Sequence, residues 1–237
     1  AADAGVTLKF NHPGDGSKSH AGLAYSEVGD RAVQLMEVRR ADEEKAYIRA
    51  LDLGWHIAPD GSDDTHAPNW GMQFSWSGIL APSLTKRNIL DAIAKRHIYS
   101  TLDRNLRLRL EINGAVMGDI IEEPTDKLDI AIYAADGDGA EDKIEKIDLI
   151  EDGKTIGSWI IDQSTGKVIT PAENQPPAEA ADTEAMEVDN KLPLACGLKI
   201  RLTPEPGRHY YFVRVTELDG QIARSAPIWV TIAPPAA

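Results

Sequence analysis

The chain has 237 residues, 42% hydrophobic and 27% charged, an ordinary globular composition long enough for one large domain or two small ones. Its net charge of −13 disfavours nucleic acid and anionic membranes as partners, since both attract basic faces. No apolar run approaches the ~20 residues of a membrane span, no charged-then-apolar signal segment is present, and the single cysteine, Cys196, excludes an internal disulfide and reads as a small core residue.

Charge and histidine divide the chain near residue 105. Residues 1–105 carry 12 Lys and Arg against 14 Asp and Glu, a net of −2, whereas residues 106–237 carry 13 against 24, a net of −11. His12, His20, His56, His66 and His97 lie in the first region and only His209 in the second. Two regions with different roles are expected.

In the first region Val6–Phe10 alternates apolar and polar and runs into Asn11-His12-Pro13-Gly14, which predicts a strand ended by a proline turn. Residues 15–30, rich in Gly, Ser and His, read as a long loop. Val33–Val38 predicts a short buried strand. Asp42 is the expected cap of a helix over Glu43–Leu53, which Gly54 stops. Trp55–Pro59 predicts a third strand, followed by a loop over 60–71. Thr85 caps a helix over Lys86–Lys95, with Leu84 stapling against Ile89, and Ile89, Leu90 and Ile93 forming its buried face. This is an α/β pattern.

From residue 106 the period becomes two. Leu106–Ile112 alternates without a fault, and Leu128–Tyr133 and Ile144–Ile150 follow. Glu151-Asp152-Gly153-Lys154 predicts a hairpin into Thr155–Ile161. Leu198–Leu202, Tyr210–Thr216, a turn at Asp219-Gly220 and Ile228–Ile232 complete about seven strands, an all-β sandwich. Between Pro171 and Pro193 stand six acids, one base and four prolines without a period, a disordered or loosely held acidic insertion. Its acidic run at 173–189 lacks the Gly-centred spacing of a calcium site.

Chemistry concentrates in the first region. His12 follows a predicted strand, and Asp64 and His66 lie two apart in a loop that follows another. Loops after parallel strands gather on one edge of a sheet, so these groups would converge. One carboxylate and two imidazoles suit zinc or manganese. The same Asp and His also fit a turn former and a surface side chain.

Phe10-Asn11-His12-Pro13-Gly14 resembles the Asn-His-Pro segment of the PHP superfamily, the polymerase and histidinol-phosphatase metallohydrolases. Gly54–Pro59, Asp64-Thr65-His66 and Asn69-Trp70-Gly71 resemble a stretch of its carbaryl-hydrolase-like branch, as do Ala81–Thr85, Tyr99-Ser100-Thr101, Asn113-Gly114 and Met117-Gly118. His209–Thr216 and Ser225–Val230 resemble that branch's terminal β domain. The resemblance implies that 1–105 is the C-terminal part of a PHP-type α/β barrel, a (β/α) barrel, and that 106–237 is an immunoglobulin-like sandwich with the insertion near 171–193. It also implies that His12, Asp64 and His66 are metal ligands for zinc or manganese, with iron as a third option, and that a metal-bound hydroxide attacks an ester, carbamate or phosphoester.

The departure from the family pattern is the absence of its early His-x-His; no His precedes His12. The resemblance therefore implies a missing N-terminal half of the barrel, supplied by a companion chain or a second copy that pairs with the edges at Val6–Phe10 and Val33–Val38. A start at Ala1 fits a processed, nicked or truncated product, either exported or cytoplasmic.

His20, Glu37, Asn69 and Trp70 are candidates to stand behind the ligands or to face a substrate. The plainer readings are a solvated loop histidine for His20, pairing with Arg39 or Arg40 for Glu37, a loop hydrogen bond for Asn69 and core packing for Trp70 and Trp55. His56 and His97 read as structural, and His209 as a strand cap. The alternative to a hydrolase is a non-catalytic β-sandwich module that recognises a carbohydrate, another protein or the rest of its own enzyme.

Overall fold

A computed structural model describes residues 6–72, 74–137, 143–162, 168–169, 182–185 and 194–234. The chain divides into two compact units, Ala1–Arg104 and Asn105–Ala237.

The first unit is built on a small parallel sheet. Strands β1 (Leu8–Phe10), β2 (Val33–Glu37) and β3 (Ala58–Asp60) lie in the order β1-β2-β3. Phe10 is paired with Met36, and Leu35, Met36 and Glu37 with Ala58, Pro59 and Asp60. All five residues of β2 are buried, as a central parallel strand covered on both faces requires. A 3-10 turn (Ser19–Leu23) and a short helix α1 (Glu27–Asp30) occupy what reads in sequence as featureless loop. Helix α2 (Ala41–Asp52) makes the crossover from β2 to β3 and buries Ala46, Tyr47, Ala50 and Leu51. Its start differs from expectation. Asp42 lies inside the helix, and Glu43 reaches back to accept from the Arg39 and Arg40 backbone N–H groups at 2.7 and 3.1 Å. The Arg40 N–H, at the N-cap, is one of the donors that a helix start leaves without an internal partner.

Strands β4 (Trp76–Ile79) and β5 (Ile98–Thr101) pair antiparallel, joined through helix α3 (Lys86–Ala94). Thr85 caps α3, accepting from the Asn88 N–H at 3.3 Å. The expected staple does not form, because Leu84 is 92% exposed, and Leu90 is exposed while Ala92 is buried.

This architecture corrects the barrel expectation. Among the described residues the parallel sheet has three strands, and the next two run antiparallel, so the repeated parallel βα units of a (β/α) barrel are not formed. Strands make up 45% of the structure and helices 16%, a balance a PHP-type barrel would not produce. The hydrolase, phosphoesterase, esterase and carbamate-hydrolase readings were tied to that barrel and are withdrawn with it.

The second unit is a β-sandwich. One sheet has the order β13-β14-β9-β6-β7, formed by β6 (Arg107–Ile112), β7 (Ala115–Val116), β9 (Leu128–Asp136), β13 (Asp182–Ala185) and β14 (Leu194–Leu202). The other contains β8 (Ile120–Thr125), β10 (Ile144–Glu151), β11 (Lys154–Ile161), β12 (Val168–Ile169), β15 (Gly207–Glu217), β16 (Ile222–Ser225) and β17 (Ile228–Ile232). There β12, β11, β10 and β15 are successive antiparallel neighbours. Strands β16 and β17 share the other side of β15, and β8 runs parallel to β17.

The period-two pattern does its expected work. In β6, Leu108, Leu110 and Ile112 are buried while Arg107 and Arg109 face water. On the neighbouring strands Ile130 pairs with Ile200, Ile132 with Leu198 and Ala134 with Cys196, one continuous buried face. Each buried Leu or Ile contributes about 1.5–3 kcal/mol. Asp152 and Gly153, at φ 47° and 74°, make the two-residue hairpin turn, whose Asp152 carboxylate accepts from the Tyr210 N–H at 3.0 Å. Of the predicted acidic insertion at 171–193, residues 182–185 form β13, and the rest lies outside the described residues.

Candidate functional site

Strands β1, β2 and β3 end at Phe10, Glu37 and Asp60, so three parallel neighbours deliver their following residues to one edge of the sheet. His12 and Asp64 both adopt left-handed backbone, at φ 51° and 48°, a conformation uncommon outside glycine. Glu37 is 1% exposed. One of its oxygens accepts from the His12 backbone N–H at 2.8 Å, and the same oxygen lies 3.1 Å from His12 Nδ1 and 3.4 Å from Arg39 Nη2. Glu37 thus takes its hydrogen bond from the His12 backbone and stands beside the ring at Nδ1, while Nε2 is on the side of the ring that faces Asp64.

That Nε2 lies 3.6 Å from Asp64 Oδ1, and His66 Nε2 lies 3.7 Å from the same oxygen. Both distances are too long for a hydrogen bond. They are close to the spacing of two ligand atoms on one tetrahedral ion, about 3.4 Å for metal–ligand bonds of about 2.1 Å. The donor types, two imidazoles and a carboxylate with a buried carboxylate behind one imidazole, are those zinc or manganese takes. The two imidazole nitrogens, however, stand more than 4.8 Å apart on either side of Asp64, so His66, on its exposed loop, has to swing inward for all three to meet one ion. His66 is 93% exposed, so the site opens to solvent on that side.

The loop carrying Asp64 and His66 is tied down at several points. Asp60 binds Lys9 Nζ at 2.6 Å and the Ser77 hydroxyl at 2.7 Å, and Ser77 in turn accepts from the Gly61 N–H at 2.9 Å. Asp63 accepts from the Gly71 N–H at 3.1 Å, and the Thr65 hydroxyl donates to Asn69 at 2.9 Å.

The remaining candidates fall elsewhere. His20 bonds the Asn11 carbonyl at 2.6 Å and packs on Phe10. Asn69 braces its own loop through Thr65. Trp70 is 79% exposed, which corrects its core-packing reading. Trp55 is core, donating to the Leu23 carbonyl at 2.8 Å. His56 pairs with Asp30 at 2.7 Å, and His209 bonds Asp152 at 2.8 Å beside the hairpin turn.

Sequence reasoning overlooked a cleft of about 270 Å³ in the same unit, lined by Arg39, Arg40, Ser62, Asp63, Phe74, Ser75 and Leu102. The tandem arginines just after a buried strand and the acid preceding Asp64 were the available signals. The contributing residues are scattered over some 60 positions, and no local pattern unites them.

No protein-family model and no curated protein matches this chain. Among solved structures, Astrotactin-2, described as a conserved vertebrate-specific and perforin-like membrane protein involved in neuronal development, is 12% identical over 54% of this chain, with a TM-score of 0.35. The match covers 22% of the Astrotactin-2 chain, so less than a quarter of its length is represented. The fibronectin(III)-like modules of Clostridium thermocellum CbhA are 18% identical over 53% of this chain and 99% of theirs, with a TM-score of 0.27. Among the described residues no helix is long and apolar enough to cross a membrane.

Proposed function

We propose that this chain is a binding or interaction module whose α/β unit holds one divalent cation, zinc or manganese, between His12, Asp64 and His66. The observation that carries the reading is the placement of two imidazole nitrogens at 3.6 and 3.7 Å from one Asp64 oxygen. The ion would cross-link the residues after β1 to the loop after β3. That loop runs on to Trp70 and Phe74, both 79% exposed, with Met72 exposed between them. Large side chains held out to solvent on an anchored loop are what a recognition surface presents. The β-sandwich is compatible with the same reading, since two packed sheets hold loops at their ends where a partner can reach them.

The test is elemental analysis of the full chain after dialysis against zinc and then against metal-free buffer. About one ion per chain is expected, falling several-fold in His12→Ala and in His66→Ala. Equal metal content in the original chain and both variants would overturn the assignment.

A further inference from the structure

The cleft beside the proposed cation site has its own unspent chemistry. Three of its lining side chains present a buried polar atom that no protein group satisfies: Arg39 Nε, Asp63 Oδ1 and Ser75 Oγ. Ser75 is only 6% exposed. Buried polar atoms without partners are rare in folded proteins, and three on the walls of one cleft mark a place where another molecule's groups belong. Phe74, exposed and on the same rim, adds an apolar platform.

The orphaned atoms select the ligand's chemistry. Arg39 Nε can only donate and Asp63 Oδ1 can only accept, while the Ser75 hydroxyl does either. An anion offers acceptors alone and would sit against the Asp63 carboxylate. The arginines do not compensate, because Arg39 Nη2 and Arg40 Nη2 both already bind Glu43 Oε1, at 3.1 and 3.0 Å, and Arg39 also faces Glu37. Two guanidinium groups thus stand against three carboxylates, Glu37, Glu43 and Asp63. A cation would satisfy Asp63 and leave Arg39 Nε stranded. A hydroxyl donates and accepts at once, and it can take the place of a water while keeping that water's hydrogen bonds. The volume, just below the ~300 Å³ at which pockets for drug-sized ligands begin, suits a single ring.

We infer that this cleft binds a neutral polyhydroxylated ring, a sugar residue, through neighbouring hydroxyls held by Arg39, Asp63 and Ser75, with Phe74 against its apolar face. The inference deepens the binding-module reading and rests on it in one respect: the ligand is bound and not turned over.

The experiment titrates the full chain with the methyl glycosides of glucose, mannose, galactose and N-acetylglucosamine, by calorimetry and saturation-transfer NMR, with phosphate and acetate as anion probes. At least one glycoside should saturate a single site, and neither anion should compete. Asp63→Asn, Ser75→Ala and Phe74→Ala should each weaken that binding about tenfold or more, with circular dichroism unchanged. Failure of all four glycosides to bind would overturn the inference, as would competition by phosphate or binding undiminished in all three variants. Zinc content is read in the same samples. A chain that takes up zinc but no glycoside sinks the sugar cleft alone, and one that binds glycoside without zinc sinks the cation site alone.

Discussion

Asp148 offers a quantitative test of how the sandwich is held together. Its carboxylate is buried in β10, where it accepts from the Ser158 hydroxyl at 2.6 Å and from Arg214 Nη2 and Nε at 2.9 and 3.2 Å, with Lys146 Nζ at 3.1 Å. Asp148→Asn keeps the shape and removes the charge, leaving two cations beside a neutral group. Removing one partner of a buried ion pair costs about 3–5 kcal/mol. Arg214 and Lys146 remain partly exposed and can recover hydration, which places this case at the lower end, about 3 kcal/mol. With a urea dependence of about 1–3 kcal/mol per molar, the unfolding midpoint of the sandwich should fall by about 1–3 M. Urea denaturation followed by fluorescence and by amide exchange in β10 and β15 reads this directly. Combining Asp148→Leu with Arg214→Met should restore part of the loss, because the charge that remains, Lys146, is partly exposed and can hydrate, while the Ser158 hydroxyl keeps its cost. A midpoint shift below about 0.3 M in Asp148→Asn, at unchanged slope, would refute the reasoning.

Further outcomes follow from other contacts. Glu37→Gln removes the charge facing His12 Nδ1 and should weaken zinc binding about 10–100-fold, measured by competition with a chromogenic chelator. Burial pushes the Asp30 carboxyl upward, but hydrogen bonds from the His56 ring and backbone N–H outweigh it and hold the group below its ordinary value of 3.8. The folded value is therefore the lower one, so this contribution is complete above about pH 4 and lost as the pH falls through the depressed value. The acid limb of the stability profile should flatten in Asp30→Asn, and an unchanged limb between pH 5 and pH 2 (about the range in which carboxylates titrate) would contradict it. Burial raises the Cys196 thiol to about 12, so a disulfide reagent at mildly alkaline pH should label the chain only on unfolding; prompt native labelling would be the contrary result. A Cβ on Gly61 would lie 1.8 Å from the Trp76 carbonyl oxygen, so Gly61→Ala should cost about 1–3 kcal/mol in a thermal melt.

Much of the second unit was legible because its strands alternate cleanly: Leu108, Leu110 and Ile112 announce a buried face in any register. Asp152-Gly153 announced its hairpin for an equally local reason, the left-handed backbone the turn demands. Strand β8 escaped because its run Ile120–Thr125 contains Glu122, Glu123 and Pro124 and lies largely exposed, without a period to read. Strand β4 escaped because four residues including Gly78 are too short for a pattern, and its place depends on the Tyr99 ring packing over that glycine. In the first unit the strand–turn pattern was enough to bring His12, Glu37, Asp64 and His66 to one edge. The expectation of part of a (β/α) barrel, which rested on the family resemblance, was the error: three parallel strands with one crossover helix do not specify a barrel segment, and the hairpin of β4 and β5 turns the chain antiparallel. The cleft was illegible for a different reason. Arg39, Asp63 and Ser75 gain meaning only when folding strips each of a partner.

The cation site is the claim on which the account turns, and anomalous diffraction from zinc-soaked crystals at the zinc edge tests it most directly. One peak is expected within about 2.0–2.2 Å of His12 Nε2, Asp64 Oδ1 and His66 Nε2 together. A zinc-saturated crystal whose anomalous density lies elsewhere, with no peak between these three side chains, would contradict it.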